Sequence, residues 1–370
     1  MAGNTDTGVR TWGELLDPRS MATHQQLGLV AILALFVLPL VLPAIWAFRV
    51  AGALFFATFV MSWDFVSGYT GEISFGHGLF FGVGGYAAGM ANLHLDVDPW
   101  LAVFVGVAAA GAAGLLIGFP SLRLQGPYFS LVTLVTPIIL ISVFRFFPDL
   151  TGGELGLVGV GTVDKFGDLL FLPSPGFSPI GAAYLALGVF LFALVVFVAV
   201  TRSDAGMVLT GIREDETAVA ATGKNPAKFK LFAFVLSGLI GGLAGATYGF
   251  SAVGSFTVSE LLALVISIEV IVAAILGGMG TITGAAFGGA FFYILRTVMR
   301  NIEFIGELYF LVFAVVTLLF LFFLPQGIVP AAVNRLFAGG SPGEPVTDGG
   351  STDAMAVLRD WMDRLGGEKR

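Results

Sequence analysis

Three carboxylates and one imidazole stand inside or beside long apolar runs, where an ionisable group is costly and needs a partner or a cavity. Asp64 lies near the end of the run 50–66. Glu72 and His77 follow in Ser67-Gly68-Tyr69-Thr70-Gly71-Glu72-Ile73-Ser74-Phe75-Gly76-His77-Gly78, and Glu269 sits in the run 262–300. Carboxylates so placed could couple a proton or cation to movement, or simply bond a neighbouring helix or sit at an interface. His77 is the one base candidate among the apolar runs. The three histidines, His24, His77 and His94, show no i, i+4 pair, so no histidine metal site is read. The chain has no cysteine, which removes disulfides, thiol catalysis and thiolate metal sites. Gly223-Lys224 is followed by Asn225 rather than Ser or Thr, so no phosphate-binding loop is present. The stretch Gly278–Gly284 has the wrong spacing for a dinucleotide loop. No catalytic set and no cofactor site are read.

Broken helices must position these groups. Gly68, Thr70 and Gly71 stop one helix, and Ser74 is expected to cap or begin the next. A second break, Leu276-Gly277-Gly278-Met279-Gly280-Thr281-Ile282-Thr283-Gly284, follows Glu260 and Glu269. Irregular backbone at membrane depth survives only where it is buried in protein or lines a wet cavity. Free N–H groups at such helix starts can bind a carboxylate. The breaks share a core, Gly71-Glu72-Ile73-Ser74 and Gly280-Thr281-Ile282-Thr283, which fits internal duplication and chance similarity equally well. Glycines four apart (Gly78/Gly82, Gly85/Gly89, Gly241/Gly245/Gly249, Gly284/Gly288) read as seams between helices.

Composition sets the frame. Of 370 residues, 56% are hydrophobic and 12% charged, about half the charge of a soluble chain. Mean hydropathy is +0.92. A disordered chain, a fibre and a soluble enzyme are excluded. The net charge of −7 argues against a nucleic-acid partner, which needs a basic face. Apolar runs at 28–48, 50–66, 100–119, 128–147, 180–200, 231–250 and 308–324, with Gly-rich 74–93 and 262–300, predict an all-α membrane protein of about ten transmembrane helices. Residues 1–26 read as a polar segment with no signal peptide, since Leu27–Phe48 is too long for an h-region; 12–22 suits a short surface helix or a loose tail. Residues 27–330 form the membrane domain, and 331–370 a linker and a short helix at 352–365. The loop 201–230 carries Arg202, Arg213, Lys224, Lys228 and Lys230, against Lys165 alone in 148–179. Basic loops stay inside, so 201–230 and both termini are expected in the cytoplasm. Arg49 and Arg145 fall on the outer side of that scheme. Within 201–230, Asp215 or its neighbour should cap a helix Glu216–Thr222, ended by Gly223. Such a helix is too short to stand alone and must dock on this chain or on a partner.

Several blocks carry a resemblance. Gly68–Gly82, Gly211-Ile212-Arg213-Glu214 through Ala220-Ala221-Thr222-Gly223 to Lys230–Ser237, Ser267-Ile268-Glu269 through Leu276–Thr281, Thr151-Gly152-Gly153 with Gly156-Leu157, and Leu324-Pro325-Gln326-Gly327-Ile328 resemble, in order over about 30–330, the permease subunits of branched-chain amino acid ABC importers of the LivM type. The resemblance implies a second permease subunit, two ATPase subunits, an extracellular substrate-binding protein, and a place in the cell membrane. It makes the helix at Glu216–Gly223 the coupling element, with Arg213, Glu214, Glu216, Gly223 and Lys230 serving ATPase coupling. It places Asp64, Glu72, Ser74, His77, Glu269 and Thr281 near the substrate path. Related permeases carry urea and short amides, and Gly78 and Gly85 leave that open. The remaining alternatives are an ion-coupled secondary transporter using Asp64, Glu72 or Glu269, a membrane enzyme built on His77, and a structural scaffold.

Overall fold

The computed structural model describes residues 23–121, 128–161, 178–302, 312, 315, 318 and 327–331. The expected surface helix at 12–22, Lys165, nearly all of the run 308–324 and the short helix at 352–365 lie outside the described residues. The chain divides into Met1–Ala332 and Val333–Arg370, and every described residue belongs to the first unit.

Among the described residues all regular structure is helical. In chain order these are α1 (Thr23–Val41), α2 (Ala44–Thr70), α3 (Gly78–Leu95), α4 (Pro99–Ser121), α5 (Tyr128–Phe146), α6 (Pro148–Thr151), α7 (Pro179–Thr201), α8 (Asp204–Glu214), α9 (Glu216–Ala221), α10 (Pro226–Phe250), α11 (Val258–Leu261), α12 (Leu264–Gly277) and α13 (Ile282–Arg300). Seven segments are long and apolar enough to cross a membrane: α2, α4, α5, α7, α10, α11 with α12, and α13. The expected ten are not reached among these residues. Gly, Asn92 and His94 dilute the 18-residue α3, and α1 offers only Ile32–Val41 as a shorter apolar stretch.

The boundary expected near Arg49 falls instead at Leu42–Pro43. Proline lacks an N–H and disfavours helix in the residue before it. Arg49 does not break α2, because its guanidinium rests 4.6 Å from the Trp46 ring centroid. The helix therefore runs 27 residues, about 40 Å at 1.5 Å per residue. Every residue from Val50 to Gly68 is buried, and α7, α10, α12 and α13 pack around them.

The glycine seams are steric. A Cβ on Gly84 of α3 would overlap the backbone of Gly242 of α10, and one on Gly106 of α4 would overlap the carbonyl of Gly84. Three helices thus meet backbone to backbone, as small residues allow. Gly277, Gly284 and Gly288 close the α12–α13 hairpin in the same way. At the end of α5, Arg145 pairs with Glu154 at 3.1 Å, so this arginine has an acidic partner. Leu157 N–H donates to Phe256 O at 3.0 Å, tying the loop after α6 to the segment between α10 and α11.

Candidate functional site

The helices carry polar groups at two opposite ends. At the first end, α2 stops at Thr70 because Gly71 takes a left-handed conformation, φ 77°, which glycine adopts without cost. Ser74 does not cap the next helix. It is buried; its N–H donates to Ser67 Oγ at 3.2 Å and its carbonyl accepts from Trp63 Nε1 at 2.7 Å. Helix α3 starts four residues later, and its Gly78 N–H donates to Ser267 Oγ of α12 at 3.0 Å. The cap comes from a neighbouring helix, which sequence spacing could not reveal.

The two glycine breaks meet. Gly280 N–H, in the second break, donates to Asp64 Oδ1 of α2 at 2.7 Å. Arg213, at the end of α8, donates through Nη1 to Gly68 O at 2.8 Å. Lys230 Nζ of α10 reaches Glu72 at 2.6 Å and Glu216 of α9 at 2.7 Å. The Lys230 side chain is 7% exposed, Glu72 20% and Glu216 50%, so one ammonium bridges the first break and the loop helix across a graded boundary. Residues expected in separate roles, Asp64 and Glu72 on the path and Arg213, Glu216 and Lys230 at the coupling loop, therefore form one cluster. Gly327 packs on the second break, where a Cβ would lie 2.5 Å from Gly278 Cα.

Other expected residues fare differently. Glu214 is 73% exposed and only 3.9 Å from its neighbour Arg213, so it stands outside the cluster. Gly223 closes α9 with φ 84° and open space about it. Thr281 precedes α13 without capping it, since its hydroxyl donates to Gly278 O at 2.7 Å. Asp215 caps α9 as expected: Oδ1 accepts from Thr217 Oγ1, Thr217 N and Ala218 N at 2.6, 2.8 and 3.0 Å. The Thr217 hydroxyl foremost, then these N–H groups, hold its carboxyl below the usual range. Sequence reading missed α8, the amphipathic helix that carries Arg213.

His77 is fully buried, stacked on Phe59 and edge-on to Phe80. Its Nε2 lies 3.0 Å from Ser62 Oγ and 3.2 Å from Ser237 Oγ. Both hydroxyls already donate to backbone, Ser62 to Phe59 O and Ser237 to Ser62 O. A hydroxyl has one proton to give, so Nε2 carries a hydrogen shared between them, and Nδ1 has no partner among the described residues. With both hydroxyl protons committed to carbonyls, neither serine is activated as a nucleophile.

The opposite end holds a pocket of about 570 Å³ between α10, the α11–α12 segment and α13. Glu269, 4% exposed, pairs with Arg296, whose guanidinium also lies 5.1 Å from the Tyr293 ring centroid and 5.7 Å from that of Phe56. Glu260 accepts from Ser255 Oγ at 2.8 Å and Tyr248 OH at 3.4 Å, and Arg300 shares the wall. A chamber of about 50 Å³ adjoins, sharing Tyr248, Glu260, Ile266, Tyr293 and Arg296, and is lined further by Phe55, Phe56, Phe59 and Phe81. Glu269 thus lies apart from the other expected path residues. Sequence reading passed over Arg296, although a cation within the run 262–300 that also holds Glu269 was the available signal. Among the described residues no group of acidic or histidine side chains is arranged to hold a metal.

Comparison with known proteins adds to this geometry. The family described as branched-chain amino acid transport system / permease component matches residues 49–322. The high-affinity branched-chain amino acid transport system permease protein LivM of Escherichia coli (strain K12) is 29% identical over 341 residues, covering 84% of this chain and 76% of the relative. Its counterpart of the same description in Salmonella typhimurium is 28% identical, covering 80% and 75%. A probable branched-chain amino acid transport permease protein LivM of Methanocaldococcus jannaschii is 23% identical, covering 68% and 78%. No solved structure gives a significant match.

Proposed function

The chain belongs to the branched-chain amino acid transport system permease family, and from that premise we propose that it moves branched-chain amino acids inward as a permease subunit of an ABC importer. Partner ATPases supply the energy, a second permease subunit completes the channel, and an external binding protein delivers the cargo. The chain itself catalyses no reaction. Its place is the cell membrane, with the basic 201–230 loop and both termini in the cytoplasm. Ten crossings follow from adding α1, α3 and the run 308–324 to the seven spans. Residues 27–330 act as the transport domain.

One observation supports the mechanism: Arg213 and Lys230 of the 201–230 loop bind the first helix break, and Asp64 beside it holds the second. Arg213 grips Gly68 O, Lys230 joins Glu72 to Glu216, and Gly280 hangs on Asp64. Pressure on α9 therefore reaches the ends of α2 and α12 through charge-assisted hydrogen bonds, which are stronger and more directional than neutral ones. Along α13 the other end lies about 27 Å away at 1.5 Å per residue, close to the thickness of the hydrocarbon core. An aperture at one face can then answer a push at the other. Ser74, His77 and Thr281 support the breaks rather than touch the cargo.

Uptake of labelled leucine into vesicles bearing the complete complex tests this. Uptake needs internal ATP and the ATPase subunits, and stops when Arg213 and Glu216 are both replaced by alanine. ATP-independent uptake driven by a proton or sodium gradient overturns the reading in favour of a secondary transporter. Faster ATP-driven uptake of urea than of leucine moves it to the amide carriers.

A further inference from the structure

Among the segments long and apolar enough to cross a membrane, α4 and α7 carry no charged residue, and α5 carries only Arg145 near its end. Their exposed side chains, such as Phe104 and Leu116 of α4 and Val195 of α7, are apolar. Acyl chains cover such faces without leaving a polar group unsatisfied.

The α12–α13 face differs. It holds the pocket at the far end from the coupling loop, whose wall includes Glu260, Glu269 and Arg296. Glu269 stands near the middle of the span Val258–Gly277, so its pair with Arg296 belongs to the apolar layer. Charges at such depth face a protein partner or a wet cavity, since acyl chains offer neither donor nor acceptor. Yet the surface beside the pocket is open. Ile268, next to Glu269 on α12, is exposed, as are Phe287, Ile294 and Val298 of α13. Phe291 is half-buried and stacks on Phe287 with centroids 5.9 Å apart. Together these α13 residues form a stripe at steps of four, three and four, the spacing along which a neighbouring helix lies.

Three covers can be compared. Lipid satisfies the stripe but not the pocket. The run 308–324 of this chain has the hydroxyls of Tyr309 and Thr317 but no charge to set against Glu260. Another membrane-embedded chain can bring both an apolar helix for the stripe and polar groups for the pocket. Glu260 is ready for one: its Oε2 accepts from Ser255 Oγ and Tyr248 OH, and the carboxylate retains acceptor capacity.

We infer that the second permease subunit seats on the α12–α13 face, laying a helix along the stripe Phe287–Val298 and closing the far pocket with polar groups of its own. The pocket is then completed between two chains. The inference rests on the importer reading, which supplies the second permease, and names the face that receives it.

Site-directed photocross-linking tests it. The chain has no cysteine, so a single introduced thiol reports on one place. Ile268→Cys and Ile294→Cys probe the α12–α13 face, and Phe104→Cys and Leu116→Cys on α4 serve as the lipid-covered reference. Each variant is carried by the complete complex in native membranes, with an epitope tag on the second permease, then labelled with a maleimide–benzophenone reagent and irradiated. The expected result is a gel shift by the mass of the second permease, positive for its tag, from Ile268→Cys and Ile294→Cys and not from the α4 positions. Adducts with lipid alone at all four positions overturn the inference. So do adducts with residues 303–326 of this chain, or with another copy of it, in place of the second permease, and partner adducts that arise from α4 instead. A variant that fails to co-purify with the ATPase subunits is replaced by Val298→Cys, on the same stripe. If wild-type vesicles take up leucine with ATP while the α12–α13 positions give no partner adduct, this inference falls and the importer reading stands. If wild-type vesicles show no ATP-driven leucine uptake, the importer reading falls first.

Discussion

Lys230 holds two carboxylates with one ammonium, so removing it strands both. Breaking a buried ion pair by deleting one partner costs about 3–5 kcal/mol; here the cost falls toward the lower end, because Glu216 is half exposed. Lys230→Met should lower the thermal midpoint of the detergent-purified complex and abolish leucine uptake, while the ATPase subunits still hydrolyse ATP. A paired measurement of phosphate release and uptake in the same vesicles separates the two effects. Asp64 serves a different need: it accepts the N–H of Gly280 deep in the structure. Asp64→Asn keeps an oxygen for that N–H and should retain most of the stability. Asp64→Ala leaves a half-buried donor unpaired, toward the lower end of about 1–3 kcal/mol, besides the space the side chain vacates. Equal damage from both substitutions would mean that the charge, and not the acceptor, is what the site needs. Gly78 and Gly85 also acquire a role at this scale. A Cβ on Gly78 would sit 2.9 Å from Ser267 Oγ, the group that caps α3, and one on Gly85 would sit 2.8 Å from Leu261 Cδ1. Both glycines therefore stand where another helix packs closely.

The helix α9 is six residues long, too short to persist on propensity. Its cap and the Lys230–Glu216 bridge hold it in place. Because the folded Asp215 carboxyl lies below its ordinary value of 3.8, its contribution to α9 is fully present above that value. It is lost as the pH falls through the lower folded pKa. Amide protection over residues 216–222, relative to the unstructured rate at each pH, should therefore hold at pH 5–8 and fall in strong acid; Asp215→Asn, which caps without titrating, should lessen that fall. This helix was readable in advance, because an N-cap and a terminal glycine are local signals. The two breaks were readable for the same reason: Gly68–Gly71 and Gly277–Gly280 interrupt apolar runs. What linear spacing hid was every contact between distant segments. Ser267 capping α3, Asp64 reaching Gly280 and Glu269 finding Arg296 are set by how helices cross. Proline explains the boundary misplaced at Arg49, which looked like a helix end in charge while Pro43 was the end in backbone geometry.

At the scale of the molecule the question is how a push on one face opens a passage at the other. The α12–α13 hairpin is the element that reaches both ends: its turn hangs on Asp64 and touches Arg213, while Glu269 and Arg296 stand toward the far pocket. Its two helices are fused by Gly277, Gly284 and Gly288 at backbone contact, so the proposed mechanism has the hairpin move as a unit rather than flex along its length. In the proposed mechanism Gly280 is the point where force enters. Its φ of 81° suits glycine, and a Cβ there would meet Arg213 Nη1 at 2.5 Å. Gly280→Ala therefore adds left-handed strain of about 1–2 kcal/mol and pushes the arginine off Gly68. The expected outcome is uncoupling: ATP hydrolysis continues while leucine uptake falls sharply. Loss of ATP hydrolysis together with uptake would show that the turn supports the fold of the complex, and the hairpin would then be a scaffold rather than a lever. Retained uptake would show that the turn carries no force, and the path of coupling would have to run through α2 and α10 instead.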